Sequence, residues 1–246
     1  MEKMTKTERA TQFAPFAALR GFYDLIREKE RIVVPKHEIA EDKAAELSEK
    51  IGKKYFIQIK TIKGTQTIET SRLILRRAIR EDAEPMFRNW ASDPEVTKFL
   101  TWPTYQSVDN AYTILGLWIK EYEKPDFYQW MIELKEIGEP IGSISVVHLR
   151  DDIAAAEIGY CIGQSWWHKG IMTEALTAVM QFLFKEVGMN RIEAKHDINN
   201  PHSGGVMKKC GMKYEGTSRA SDRNNQGICD IAQYAIIQND WVCKLK

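Results

Sequence analysis

The chain has 246 residues, 43% of them hydrophobic and 28% charged, which suits one sizeable core plus an appendage, or two small domains. A net charge of +1 leaves no bulk attraction to nucleic acid or to an anionic membrane, and no apolar run reaches the length of a membrane span. The charged opening MEKMTKTERA lacks the apolar stretch of a secretory signal, and the four cysteines (Cys161, Cys210, Cys229, Cys243) include no close pair that would suggest zinc, so a cytoplasmic chain with reduced thiols and no metal is expected.

Residues 1–64 differ from the rest. Phe13, Phe16 and Leu19 gather around Pro15 in TQFAPFAAL and read either as docking and core residues or as a recognition motif; helical spacing favours packing. A helix is expected from Gly21 or Phe22 to Arg31, then the extended IVVPKHE. A second, mostly charged helix over Ile39–Ile51 carries a narrow stripe of Ala40, Ala44, Leu47 and Ile51 and stops at Gly52. Lys54–Lys63 alternates like an edge strand. The segment has too few large apolar residues for a core of its own, so it must pack on residues 65–246, on another copy or on a protein partner, or stay partly disordered.

From Thr67 the pattern becomes that of a compact mixed α and β domain. A strand begins near Ile68 and runs on to Arg77. Asp82 is the expected N-cap of a helix burying Ala83, Phe87 and Trp90, and Asp93-Pro94 breaks it. Ser107 caps a second helix with Ala111, Ile114, Leu115, Trp118 and Tyr122 along one side. Phe127–Leu134 and Ile141–His148 read as a hairpin with Gly138-Glu139-Pro140 as its turn. Arg191–Ile198 is a strand, Asn200 caps a short helix with Pro201 at its first position, and Met212–Ala220 and Cys229–Ile237 form a last hairpin around Asn224–Gly227.

Chemistry concentrates in Ala156–Ala175, AEIGYCIGQSWWHKGIMTEA. Ile158, Tyr160 and Ile162 fall on one face of a strand, with Glu157, Gly159 and Cys161 on the other. A short loop between Gly163 and Gly170 then opens a helix whose apolar stripe is Leu176, Val179, Met180, Leu183, Phe184 and Val187. Strand, glycine-containing loop and helix N-terminus make an anion-binding arrangement, because unpaired N–H groups and the positive end of the helix dipole meet at one spot.

Two resemblances follow. Residues 1–64 resemble the small YolD-like family through RATQFAPFAALRGF (Arg9–Phe22) and REKERIVVP (Arg27–Pro35), and no site residues carry over from it. Residues from about Thr67 to Trp241 resemble the GNAT N-acetyltransferase superfamily, in its RimJ/RimL-like, ribosomal-protein-acetylating branch. The stretches that match, in order, are SRLILRR at Ser71, AEIGYCI at Ala156, WWHKGIMTEAL at Trp166, NNPHSGGVMKKCGMKYEG at Asn199 and DIAQYAIIQNDW at Asp230. This resemblance implies an α+β, three-layer fold: a mixed, mostly antiparallel twisted sheet flanked by helices, with residues 1–64 as a small helical appendage.

It also implies acetyl-CoA as co-substrate and an amine as acceptor. The pyrophosphate would lie on the backbone from Trp167 through His168, Lys169, Gly170, Ile171 and Met172 to Thr173. The superfamily motif usually has Gln or Arg where Trp167 stands and Gly or Ala where Met172 stands, which leaves the side-chain contribution open; Lys169 reads equally as a phosphate contact or a solvated lysine. The pantetheine arm would pair with the backbone of Ile158, Tyr160 and Ile162, where this strand splays from Arg191–Ile198, and Asn200 would both bond the arm and cap its helix.

Glu157 matches the branch's base position, against a plain salt-bridged carboxylate, and Ser203 matches the position assisting the departing thiol, against a small packing residue. The tyrosine acid of many members would fall at Met207 and is absent; Tyr214 or Tyr234 are substitutes if they are not simply core. His196 is a reserve base or a satisfied core histidine. The acceptor pocket would come from Ala83–Tyr122 and Ser218–Ile228, with Asp93, Glu95, Asp109 and Asp222 available to a cationic amine. The alternative function is a CoA-sensing adaptor in which the fold does not catalyse and residues 1–64 recruit a partner. A homodimer fits the sequence equally well.

Overall fold

The computed structural model describes residues 64–244. The helices and edge strand expected within residues 1–63, and the boundary proposed for that segment, lie outside the described residues. Eight strands form a single sheet: β1 (Ile68–Glu69), β2 (Leu73–Arg76), β3 (Gln129–Leu134), β4 (Glu139–Arg150), β5 (Ala155–Ile162), β6 (Arg191–Asp197), β7 (Lys213–Asn224) and β8 (Gly227–Ile237). Their order is β1-β2-β3-β4-β5-β6-β8-β7, and every pair is antiparallel except β5 with β6. The helices are α1 (Ala83–Met86), α2 (Pro94–Thr97), α3 (Val108–Glu121), α4 (Ile171–Phe182), α5 (Pro201–Lys209) and α6 (Gln238–Lys244).

The sheet separates two cores, which gives the expected three layers. On one face α4 and α5 cover Leu73, Leu75, Trp130, Ile144, Ile158 and Ile192. On the other, α1 and α3 pack Met86, Trp90, Ile114, Leu115 and Trp118 against Met131. The α4 stripe read from sequence is the seam of the first core: Leu176, Val179, Met180, Leu183, Phe184 and Val187 are all buried. Strand β5 serves both sides, with Ile158, Tyr160 and Ile162 in the first cluster and Cys161 against the second, the alternation a strand between two layers requires.

Local signals hold where neighbours in sequence decide the outcome. Ser107 accepts from the Asp109 N–H at 3.1 Å and caps α3. Gly188, at φ +84°, ends the π-helical turn Leu183–Val187 that continues α4. Four expectations need correction. Ile68–Arg77 is a hairpin of β1 and β2 rather than one strand, because Thr70 turns the chain through bonds to Leu73 in both directions. The β3–β4 turn ends at Gly138 (φ +64°), and Glu139 and Pro140 already belong to β4. Asp82 is not the N-cap of α1: its side chain reaches back to the Ile79 N–H at 2.9 Å, both its oxygens receive the Arg76 guanidinium at 2.8 Å, and Arg76 also reaches Glu133. Asn200 precedes α5 but its side chain makes no cap bond.

Candidate active site

The site forms where β5 and β6 part. Their parallel ladder has three rungs and ends at Glu157 opposite Glu193. Beyond it β5 runs on to Ile162 beside β4, while β6 stays paired with β8 as far as Asp197 opposite Ile231. A register shift between Val146 and His148 of β4, opposite Ile158 and Glu157, marks a bulge at the same level. Among the described residues, no strand therefore pairs with the outer edge of β5 after Glu157, and an extended ligand can take that place by backbone pairing.

At the open end of the fork the chain turns into α4. Trp167 gives its N–H to Gln164 O at 3.1 Å and its indole Nε1–H to Ile162 O at 2.8 Å, so it pins the loop to the end of β5. This corrects one expected donor: the Trp167 amide is already used. The chain turns at Trp167 and His168, a turn that the Lys169 amide closes, whereas the amides of His168, Gly170, Ile171, Met172 and Thr173 meet no acceptor among the described residues; the first helical bond comes from Glu174 N to Gly170 O. His168 (φ +61°) and Gly170 (φ +73°) are both left-handed, which turns successive N–H groups toward one side. With the α4 dipole behind them, these amides make a nest for a diphosphate.

The nest is braced from outside. Glu174, in the first turn of α4, takes hydrogen bonds from Thr70 Oγ1 (2.6 Å), Ser71 Oγ (3.0 Å), Arg72 N (3.0 Å) and Arg72 Nε (2.7 Å). Arg72 also donates to Lys169 O at 3.0 Å. A carboxylate so near a phosphate site would repel it; here four donors hold it toward the β1–β2 turn. Burial works to raise its pKa, but the bonds from Thr70, Arg72 and Ser71 outweigh that and hold it at about 2, against an ordinary 4.5. A folded pKa below the unfolded one contributes stability above the unfolded value, lost as pH falls through the folded one. Glu174→Gln should therefore cost about 1–2 kcal/mol at neutral pH. The gap between variant and parent, measured by urea melts, should narrow as pH falls from about 5 toward about 2.

Fork and nest open into one cleft of about 420 Å³. Of the residues expected from sequence, Tyr160, Ile162, Trp167, His168, Gly170, Ile171, Met172, Thr173, Asn200 and Ser203 all line it. Three do not. Ile158 is buried in the core beneath and can offer only backbone. Lys169 turns its carbonyl to Arg72 and its side chain is not part of the wall. Glu157 lies at the fork itself, ion-paired to Lys195 Nζ at 3.3 Å, and Lys195 also reaches Asp222 at 3.1 Å. Asn200 makes no side-chain hydrogen bond among the described residues, so both ends of its amide are free for a ligand.

The cleft also holds features that sequence reading passed over. Ser203 Oγ donates to Tyr160 Oη at 3.1 Å, and the Tyr160 hydroxyl donates to Ser203 O at 3.0 Å, which ties β5 to α5 across the fork. Burial pushes the Tyr160 phenol up despite the Ser203 bond, so it stays a neutral donor. Glu95, Val96, Lys98, Phe99 and Leu100 form an outer wall, and His202 sets its ring edge-on to His168 at 4.7 Å. The substitute acids are elsewhere: Tyr214 is exposed and bonded to Thr217, and Tyr234 is buried on β8. His196 is half-buried, stacked on Tyr234 with a buried, unpartnered Nε2, and a Cβ on Gly204 would come within 2.4 Å of that nitrogen. Its Nδ1 bonds Asp197 O at 2.7 Å, and the close approach of Nε2 requires glycine at 204. Asp93 caps α2 by accepting the Glu95 N–H, and Asp109 accepts the Ser107 hydroxyl.

A strand fork, an amide nest at a helix start and a polar pair between them define a thioester-using acyltransferase. Comparison with known proteins agrees: residues 72–213 match the acetyltransferase (GNAT) domain, and the chain belongs to that family. It is 30% identical over 171 residues, 70% of this chain and 96% of the relative, to an uncharacterized N-acetyltransferase, YoaA, of Bacillus subtilis (strain 168). It is 29% identical over 160 residues, 62% of this chain and 80% of the relative, to the [ribosomal protein uS5]-alanine N-acetyltransferase of Escherichia coli (strain K12). The solved structure of the microcin C7 self-immunity acetyltransferase MccE, in complex with acetyl-CoA and AMP, shares the fold, with a TM-score of 0.62 at 19% identity over 68% of this chain and 93% of that one. The protein is an acetyl-CoA-dependent N-acetyltransferase, and its cleft fits that co-substrate: five unclaimed amides between His168 and Thr173 for the diphosphate and an unpaired strand edge for the pantetheine arm. Among the described residues no helix is long and apolar enough to cross a membrane.

Proposed function

We propose that the chain moves the acetyl group of acetyl-CoA directly to a primary amine while both are bound, with a protein N-terminus or a small-molecule amine as acceptor. The observation that supports this best is the position of Glu157, a carboxylate on the last rung before the strands part, where a thioester lying along β5 would present its carbonyl. In this reading the ammonium of the acceptor gives a proton to Glu157, directly or through water. The free amine forms a C–N bond to the thioester carbonyl, the C–S bond breaks, and the proton left on the new amide nitrogen passes to water. The sulfur leaves as thiolate, and Ser203 can turn its hydroxyl toward it while Tyr160 keeps Ser203 in place. Because the Tyr160 phenol is held protonated, this pair stabilises the thiolate by hydrogen bonding and gives up no proton to it.

A panel of amines tests the proposal, with thiol release from acetyl-CoA as readout. Given the ribosomal-protein relative, peptides with a free N-terminal alanine or serine belong in the panel beside polyamines and amino acids. Thiol release that depends on one acceptor class, with the acetyl group found on its amine, is the expected result. Tight acetyl-CoA binding with transfer to no amine would favour the CoA-sensing adaptor instead.

A further inference from the structure

The outer wall of the cleft is made by α2 and the loop after it, and no strand pairing among the described residues holds that loop. Its near end is fastened locally, by Thr97 Oγ1 to Thr104 Oγ1 at 2.5 Å and by Tyr105 N to Ala91 O at 2.9 Å. Its middle is fastened by a residue more than a hundred positions away. Asn225, the first of the two turn residues joining β7 to β8, gives its side-chain amide to Thr97 O and to Trp102 O, both at 2.8 Å. Its backbone N–H reaches Leu100 O at 3.2 Å. Three carbonyls of one short segment thus converge on one residue. The turn that carries it is itself anchored, since Asn224 Nδ2 bonds Asp197 at the end of β6 at 2.7 Å.

We propose that Asn225 is a positioning residue for acetyl-CoA: it latches the 97–102 segment in place as the cleft wall facing β5. The proposal rests on acetyl-CoA occupying this cleft. A short side chain with two N–H donors is needed, because the three groups it meets are all acceptors. Aspartate keeps the shape and presents only oxygens, so it reverses the interaction instead of merely deleting it. The wall lines the same cleft as Cys161 and Ile162 and holds none of the amides before α4, which in this proposal take the phosphates while the wall takes the pantetheine arm. Losing the latch should therefore weaken the whole co-substrate and spare its nucleotide end.

The test is calorimetric titration of the full chain, Asn225→Asp and Asn225→Ala with acetyl-CoA and, separately, with adenosine 3′,5′-bisphosphate. Both variants should bind acetyl-CoA about tenfold more weakly, the equivalent of one or two lost hydrogen bonds. Bisphosphate affinity should change less than about twofold, and the melting midpoint should move by no more than about 4 °C. Gln226→Ala, in the same turn, should match the parent. Unchanged acetyl-CoA affinity in Asn225→Asp overturns the proposal, and so does equal weakening of both ligands, which would make Asn225 a general support of the fold. A parent chain that does not bind acetyl-CoA would instead remove the reading of the cleft itself.

Discussion

Gly170→Glu should leave no measurable acetyl-CoA binding, a loss of at least about a hundredfold. The backbone at Gly170 has φ +73°, which any other residue adopts at a cost of about 1 kcal/mol. That strain is small, and a Cβ would have room, since its nearest neighbour is Arg72 Nη2 at 3.8 Å. Gly170→Ala should accordingly fold and bind only a fewfold more weakly. The glutamate adds two further effects: its charge stands among the amides that would hold a diphosphate, and it competes with Glu174 and Lys169 O for the one guanidinium bracing the nest. Gly170→Gln supplies the bulk without the charge and should fall between the two. Calorimetry on the three variants separates strain, bulk and charge, and wild-type affinity in Gly170→Glu would show that the phosphates lie elsewhere.

What could be read from sequence and what could not divide along a physical line. Motifs whose effect is local came through: the two-sided alternation of β5, the Ser107 cap, the Gly188 stop and the free amides before Thr173 are each settled within a few residues. Features that rest on distant partners did not. Asp82 has the spacing of a cap, but Arg76 and, through it, Glu133 on β3 draw its carboxylate into a buried ion pair. Asn200 likewise looks like a cap and instead leaves its amide open to the cleft. The outer wall at Glu95–Leu100 carries no motif, because its place depends on a hairpin tip that arrives late in the chain. Ser203 and Tyr160 were each legible as site residues, but their bond to each other was not, since i and i+43 meet only once β5 and α5 close on each other.

Glu157→Gln should lower kcat by about a hundredfold or more with acetyl-CoA affinity within about twofold of the parent. The split follows from geometry: the residue stands at the fork but outside the cleft wall, so it takes no part in holding the co-substrate. Glutamine keeps the size and shape and removes the ability to take a proton together with the charge that pairs with Lys195. The competing explanation is that Glu157 matters through its ion pair with Lys195, whose ammonium Asp222 also holds. Burial alone would lower the Lys195 pKa, yet the two carboxylates outweigh it and raise it, so Lys195 stays a cation. Lys195→Met separates the readings. If Glu157 accepts the proton of the amine, Lys195→Met leaves a working carboxylate and keeps most of the turnover. If the ion pair only fixes the fork, the two substitutions fail alike, since each removes one half of the same contact. Steady-state kinetics on both, with an acceptor found in the amine panel, decides between a base and a strut.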